Sequence, residues 1–163
     1  MEVNNKFDWC LKQGTKGEKH KGLRKTEPDP EEAEKQINKS LSDLNTMQYL
    51  YDGNKTDWAA SAAFYGMYHS LLAILCKLGY ESRNQECTIT AIEYFIKTKK
   101  LEIDSKYIKM IRSLQETEKD AKKVREDMQY SSKTQLEDES CKNLMDNAKK
   151  FVEKMRAVME SIR

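Results

Sequence analysis

The chain is short of the residues that break, crosslink or metallate a fold. Two prolines and six glycines among 163 residues leave few turns, which argues against a many-stranded sheet. Two histidines, His20 and His69, cannot build a histidine-rich metal site, and no H-E-x-x-H occurs. Neither G-x-x-x-x-G-K-[ST] nor G-x-G-x-x-G is found, so there is no recognisable phosphate cradle. The four cysteines, Cys10, Cys76, Cys87 and Cys141, never pair as C-x-x-C, and two of them fall within apolar helical patterns. This spacing predicts reduced thiols, with no disulfide, no metal and no cofactor. A long apolar run is lacking as well. The most hydrophobic stretch, 58–78, is interrupted by Ser61, His69, Ser70 and Lys77, whereas a membrane span wants about 20 mostly apolar residues. The expectation is a buried central helix, no membrane, and a cytoplasmic setting, since residues 1–8 carry no apolar signal-peptide core.

What is present points to helices. Charged residues make up 34% and hydrophobic ones 38%, the balance of a helical protein with solvated outer faces. The formal charge of +2 gives the whole molecule no strong field for nucleic acid. Phe7, Cys10 and Leu11 predict a short first helix ending near Gly14. Asp29, Pro30, Glu31 and Glu32 form a helix start, and the line Ala33, Ile37, Leu41, Leu44, Met47, Tyr51 runs to Gly53. Residues 54–79 read as the central helix, apolar on nearly all sides, with Ala59, Ala60, Ala62, Ala63 and Gly66 permitting close neighbours and Gly79 ending it. After a polar turn over 80–86 comes a shorter helix with Ile89, Ile92, Phe95 and Ile96. A long helix opens at Asp104 or Ser105 and runs to about Tyr130. The last carries Cys141, Leu144, Ala148, Phe151, Met155, Val158 and Ile162 in steps of three and four. The fold class predicted is all-α: about five helices in an up-and-down bundle over 30–163, preceded by a short helix and basic linker over 1–29, with no second domain. The double stripe on the last helix and the apolar circumference of the central one predict a homodimer.

Three polar features need an account. Lys16, Lys19, Lys21, Arg24 and Lys25 are opposed only by Glu18, which fits a solvated linker or a loop that meets phosphate; within 14–29 no aromatic residue is interleaved for stacking. His69 lies inside an apolar stripe between Tyr65 and Leu72, the place of a satisfied core residue bonded to Tyr65, Tyr68 or backbone. Glu118 and Arg125 continue the line of Ile111 at heptad spacing, so both face the packed side. A buried arginine needs a carboxylate (Glu118, or Asp127 across a dimer) or an anionic ligand. Glu137, Asp138 and Glu139 fit a helix start better than acid–base work.

The segment Ala63-Phe64-Tyr65-Gly66-Met67-Tyr68-His69, followed by Leu71 to Leu75, resembles the signature helix of the HEPN family (higher eukaryotes and prokaryotes nucleotide-binding). Arg125-Glu126-Asp127-Met128-Gln129-Tyr130 is similar to that family's Arg-x-x-Ala-x-Tyr element, and Ala148 with Phe151 to its Ala-x-x-Phe spacing. The resemblance covers roughly 30–162 and suggests a small stand-alone prokaryotic member. It implies a dimerising bundle with a cleft between subunits. Many members partner small nucleotidyltransferases, often as toxin–antitoxin pairs; some bind nucleotides or RNA, and a subset cleaves RNA with an arginine followed four to six residues later by a histidine. No arginine here has that partner: Thr88 to Thr90 follow Arg83, Tyr130 to Ser132 follow Arg125, and Gln85 stands where relatives often have histidine. The expected function is therefore a non-catalytic binding module for nucleotide, RNA or a small nucleotidyltransferase. The alternatives are a metal-independent ribonuclease and a structural helical adaptor. The candidate ligand-binding residues are His69, Arg125, Glu118, Tyr65 and Tyr130, with no catalytic or metal-binding residue assigned.

Overall fold

The computed structural model describes residues 2–127 and 137–163, with the backbone alone over 121–127. The described order is α1 Val3–Gln13, β1 Leu23–Lys25, α2 Pro30–Asp52, α3 Thr56–Leu78, β2 Tyr80–Ser82, α4 Gln85–Lys97, α5 Ser105–Asp127 and α6 Asp138–Ser161. Five helices, α2 to α6, make the bundle expected from the sequence, and α1 is the short helix set before it.

Helix ends form where the residue chemistry provides for them. The Asp29 carboxylate accepts the Glu32 backbone N–H at 2.9 Å, and Pro30 opens α2 without an N–H to satisfy. Asn84 caps α4 in the same way by accepting the Cys87 N–H at 3.0 Å. Gly79 stops α3 in the left-handed conformation, φ 89°, where a Cβ would also stand 2.8 Å from the Thr26 carbonyl. Two constraints therefore require glycine there.

The core is organised around α3, which packs chiefly on α2 and α6 and touches α4 and α5. Phe64, Met67, Leu71, Ile74 and Leu75 of α3 are fully buried, and Phe151, Met155 and Ala148 of α6 close over them. Each large side chain so buried contributes about 1.5–3 kcal/mol. Gly66 lets α2 approach: the Ser40 hydroxyl donates to the Gly66 carbonyl at 2.5 Å. α3 is long and apolar enough to cross a membrane by length and composition, yet 61% of its most apolar window is buried inside the fold.

Three expectations need correction. The segment 14–29 is not a bare linker: β1 pairs antiparallel with β2, Leu23 opposite Ser82, so the turn expected over 80–86 begins as a strand. Cys10 and Cys87 are not free thiols but a buried disulfide, Cα–Cα 5.7 Å, which bolts α1 to α4. The two positions lie 77 residues apart, so local spacing could not announce the pair. Among the described residues Cys76 and Cys141 remain free, and burial pushes the Cys76 thiol up to about 11, far from a reactive thiolate. Finally, α3 is not buried on all sides, because Trp58 and Tyr65 are exposed.

The α1–α4–α5 junction is held by ions as well as by sulfur. The Arg112 guanidinium donates to Glu86 at 2.6 Å and also to Glu93 and Gln115, while Lys6 reaches the other Glu86 oxygen at 3.3 Å. Burial alone would raise the Glu86 carboxyl; the bonds from Arg112, Lys6 and Gln115 outweigh it and hold the group below its ordinary value.

Candidate functional site

Two exposed aromatic side chains and a polar pair lie along one line of α3. Trp58, Tyr65 and His69 follow at steps of seven and four, which on a 3.6-residue helix keeps them on one side. Trp58 is 50% and Tyr65 38% exposed. The line is bounded by two neighbouring helices. On the α2 side, His69 Nδ1 meets Asp43 Oδ2 at 2.6 Å, with the two side chains 12% and 24% exposed. On the α5 side, the Ser61 hydroxyl donates to Glu118 Oε2 at 2.7 Å. The ring of Tyr68 lies 5.6 Å from that of His69, and its hydroxyl meets Thr88 Oγ1 at 3.2 Å.

The histidine's partner was not among those expected. His69 bonds a carboxylate on the next helix rather than Tyr65, Tyr68 or backbone. A signal for it existed: the buried positions Ile37, Ser40 and Met47 of α2 carry the stripe past Asp43, which places a carboxylate at the seam. Donation of the Nδ1–H to Asp43 fixes the tautomer and leaves Nε2 as an acceptor beside Tyr65. The pair can orient a hydrogen bond to a ligand.

The structure gathers His69 and Tyr65 and sets Glu118 along the same helix through Ser61. The side chain of Arg125 lies outside the described residues, and so does Tyr130, so the expected pairing of Arg125 with Glu118 falls outside them too. Among the described residues no hydrogen bond or ion pair joins an arginine to His69 or Asp43. Arg112, the arginine most enclosed by carboxylates, is committed to Glu86 and Glu93.

A profile of the HEPN domain matches residues 33–158. The chain belongs to the HEPN domain family. No curated protein matches it. The matched span begins within α2 and ends near the close of α6, so the HEPN bundle contains the whole α3 line and leaves α1 and β1 outside.

Proposed function

We propose that this HEPN domain is a non-catalytic binding module whose α3 line is a docking surface, first for a second copy of the chain and, in the assembled dimer, for a nucleotide, an RNA or a small nucleotidyltransferase. The observation that carries the reading is the exposure of Trp58 and Tyr65 on one line of an otherwise closed core helix. Large aromatic side chains that show part of their rings at the surface beside a fixed polar pair are the composition of an interface centre. Asp43 and Glu118 flank the line, the first bonded to His69 and the second to Ser61. A role in a toxin–antitoxin pair follows the same reading, with the partner supplying the other half.

Native mass spectrometry of the full chain purified from its own host tests stoichiometry and retained ligand together. A dimer is expected, and a monomer for the Trp58→Ser/Tyr65→Ser protein. A wild-type chain that is monomeric and empty would remove the proposal.

The ribonuclease reading keeps one observation in its favour, the His69–Asp43 pair, because a carboxylate-oriented imidazole is the form a general base takes. Among the described residues no arginine or lysine is bonded to the His69–Asp43 pair, as stabilisation of a transferring phosphate would require. Turnover on an RNA panel that vanishes in both His69→Ala and Asp43→Asn would establish it.

The cytoplasmic expectation rested on reduced cysteines and on the polar start of the chain. The Cys10–Cys87 bond removes the first support, since such bonds persist mainly in oxidising surroundings.

A further inference from the structure

The N-terminal segment lies outside the HEPN span and has its own exposed surface. Phe7 and Cys10 turn inward, where Phe7 stacks on Tyr94 with ring centroids 3.9 Å apart and Cys10 bonds Cys87. The opposite side of α1 shows Trp9, 47% exposed, with Lys12 one turn on. Backbone bonds from Thr15 N to Lys12 O and Lys16 N to Gln13 O continue the turn past the helix, so Lys16 joins the line of Trp9 and Lys12. Between residues 12 and 25 six cations face a single carboxylate, Glu18, in a chain whose total charge is only +2, so the remainder is net negative.

This basic loop is held in place. Arg24 donates from Nε to the Gly14 carbonyl at 2.9 Å and from its guanidinium to Gly17. The Arg83 N–H donates to the Gly22 carbonyl at 2.9 Å, and the Asn84 amide to the Lys21 carbonyl at 3.2 Å. Buried His20 anchors the middle. Lys16, Lys19, Lys21 and Lys25 are exposed, and no ion pair engages them among the described residues. Their ammonium groups therefore project from a fixed backbone, which lowers the ordering cost of meeting an extended anion.

We propose that Trp9 with Lys12, Lys16, Lys19, Lys21 and Lys25 forms a binding surface for single-stranded polynucleotide, separate from the α3 line. Lysines at intervals meet successive phosphates, and an exposed indole offers a base its flat face. An anionic membrane fits less well. Phe7 and Cys10 of α1 are buried and Val3 and Leu11 partly so, while the exposed positions are Asn4, Asn5, Asp8, Trp9 and Lys12, which leaves one ring to insert and no broad apolar face.

The test is fluorescence anisotropy of a labelled oligouridine of about 12 nucleotides, within the usual site size of such surfaces, titrated with the full-length oxidised chain. Binding should weaken about fifty-fold between 50 and 200 mM salt if about four phosphates are neutralised. Trp9→Ala should weaken it about ten-fold through lost stacking, and Lys16→Gln/Lys19→Gln/Lys21→Gln should weaken it further and flatten the salt dependence. Tyr49→Ala, which removes an exposed ring on α2 outside both surfaces, should leave it unchanged. No binding at the lower salt would overturn the proposal, as would binding that depends on Tyr65 but not Trp9, which would assign the polynucleotide to α3. Capture by phosphatidylserine vesicles in place of the oligonucleotide would overturn it in favour of a membrane surface.

Discussion

The two histidines of this chain meet carboxylates at nearly the same distance and end in opposite situations. His20 Nε2 lies 2.7 Å from Glu81, its Nδ1 accepts the Gly22 N–H at 3.2 Å, and its side chain is fully buried. His69 Nδ1 lies 2.6 Å from Asp43, no second bond to its ring is found among the described residues, and the ring edge reaches the surface beside Tyr65. The first ring has both nitrogens committed and serves as a strut between the loop and β2. The second has one nitrogen oriented and one available. A histidine–carboxylate pair is thus not a site in itself; the second nitrogen and its access to ligand decide.

The largest effect expected concerns the staple that holds the His20 region in place. Cys10→Ser, or full reduction, should destabilise the fold by about 4 kcal/mol, given the long loop the bond closes, with a Tm fall of roughly 10 °C. Differential scanning calorimetry with and without reductant checks it, and an unchanged melt would mean that the N-terminal segment is held without the bond. Next comes the strut. His20→Ala should cost about 2–3 kcal/mol in urea denaturation, because the buried Gly22 N–H loses its acceptor and a cavity remains. His69→Ala should cost about 1 kcal/mol or less, since Asp43 is partly exposed and can be rehydrated, while self-association weakens. A His69 variant as damaging as the His20 one would erase the contrast.

The smallest effect is on pH. The hydrogen bond from His20, aided by Arg83, holds the Glu81 carboxyl below its ordinary 4.5 despite some burial. A carboxyl depressed in the folded state contributes stability that is present above 4.5 and lost as pH falls through the folded value. The acid limb of the Tm–pH curve should therefore be shallower in His20→Ala than in wild type.

Much of the bundle was legible because the signals are local. Asp29 with Pro30, Gly79, and the three–four stripe of α6 each state a boundary or a face within a few residues. Contacts between distant segments were not: β1 and β2 are three-residue strands that carry no period of their own, and Cys10 and Cys87 meet only once α1 folds back on α4. The candidate site was half legible. His69 stood out as a polar residue in an apolar stripe, but its partner Asp43 sits on another helix. The stripe of Trp58 and Tyr65 read as buried because hydrophobic periodicity reports which residues share a face, not whether anything covers that face. Trp9 escaped notice because it precedes the basic stretch in sequence and joins it only along the outer line of α1.

The central claim is that the α3 line docks a second copy, and sedimentation equilibrium of the oxidised full-length chain at micromolar concentrations addresses it most directly. The wild-type protein should sediment as a dimer, and Trp58→Ser/Tyr65→Ser as a monomer with an unchanged far-UV circular dichroism spectrum. A monomeric wild type, or a dimer that survives the double substitution, would contradict the account.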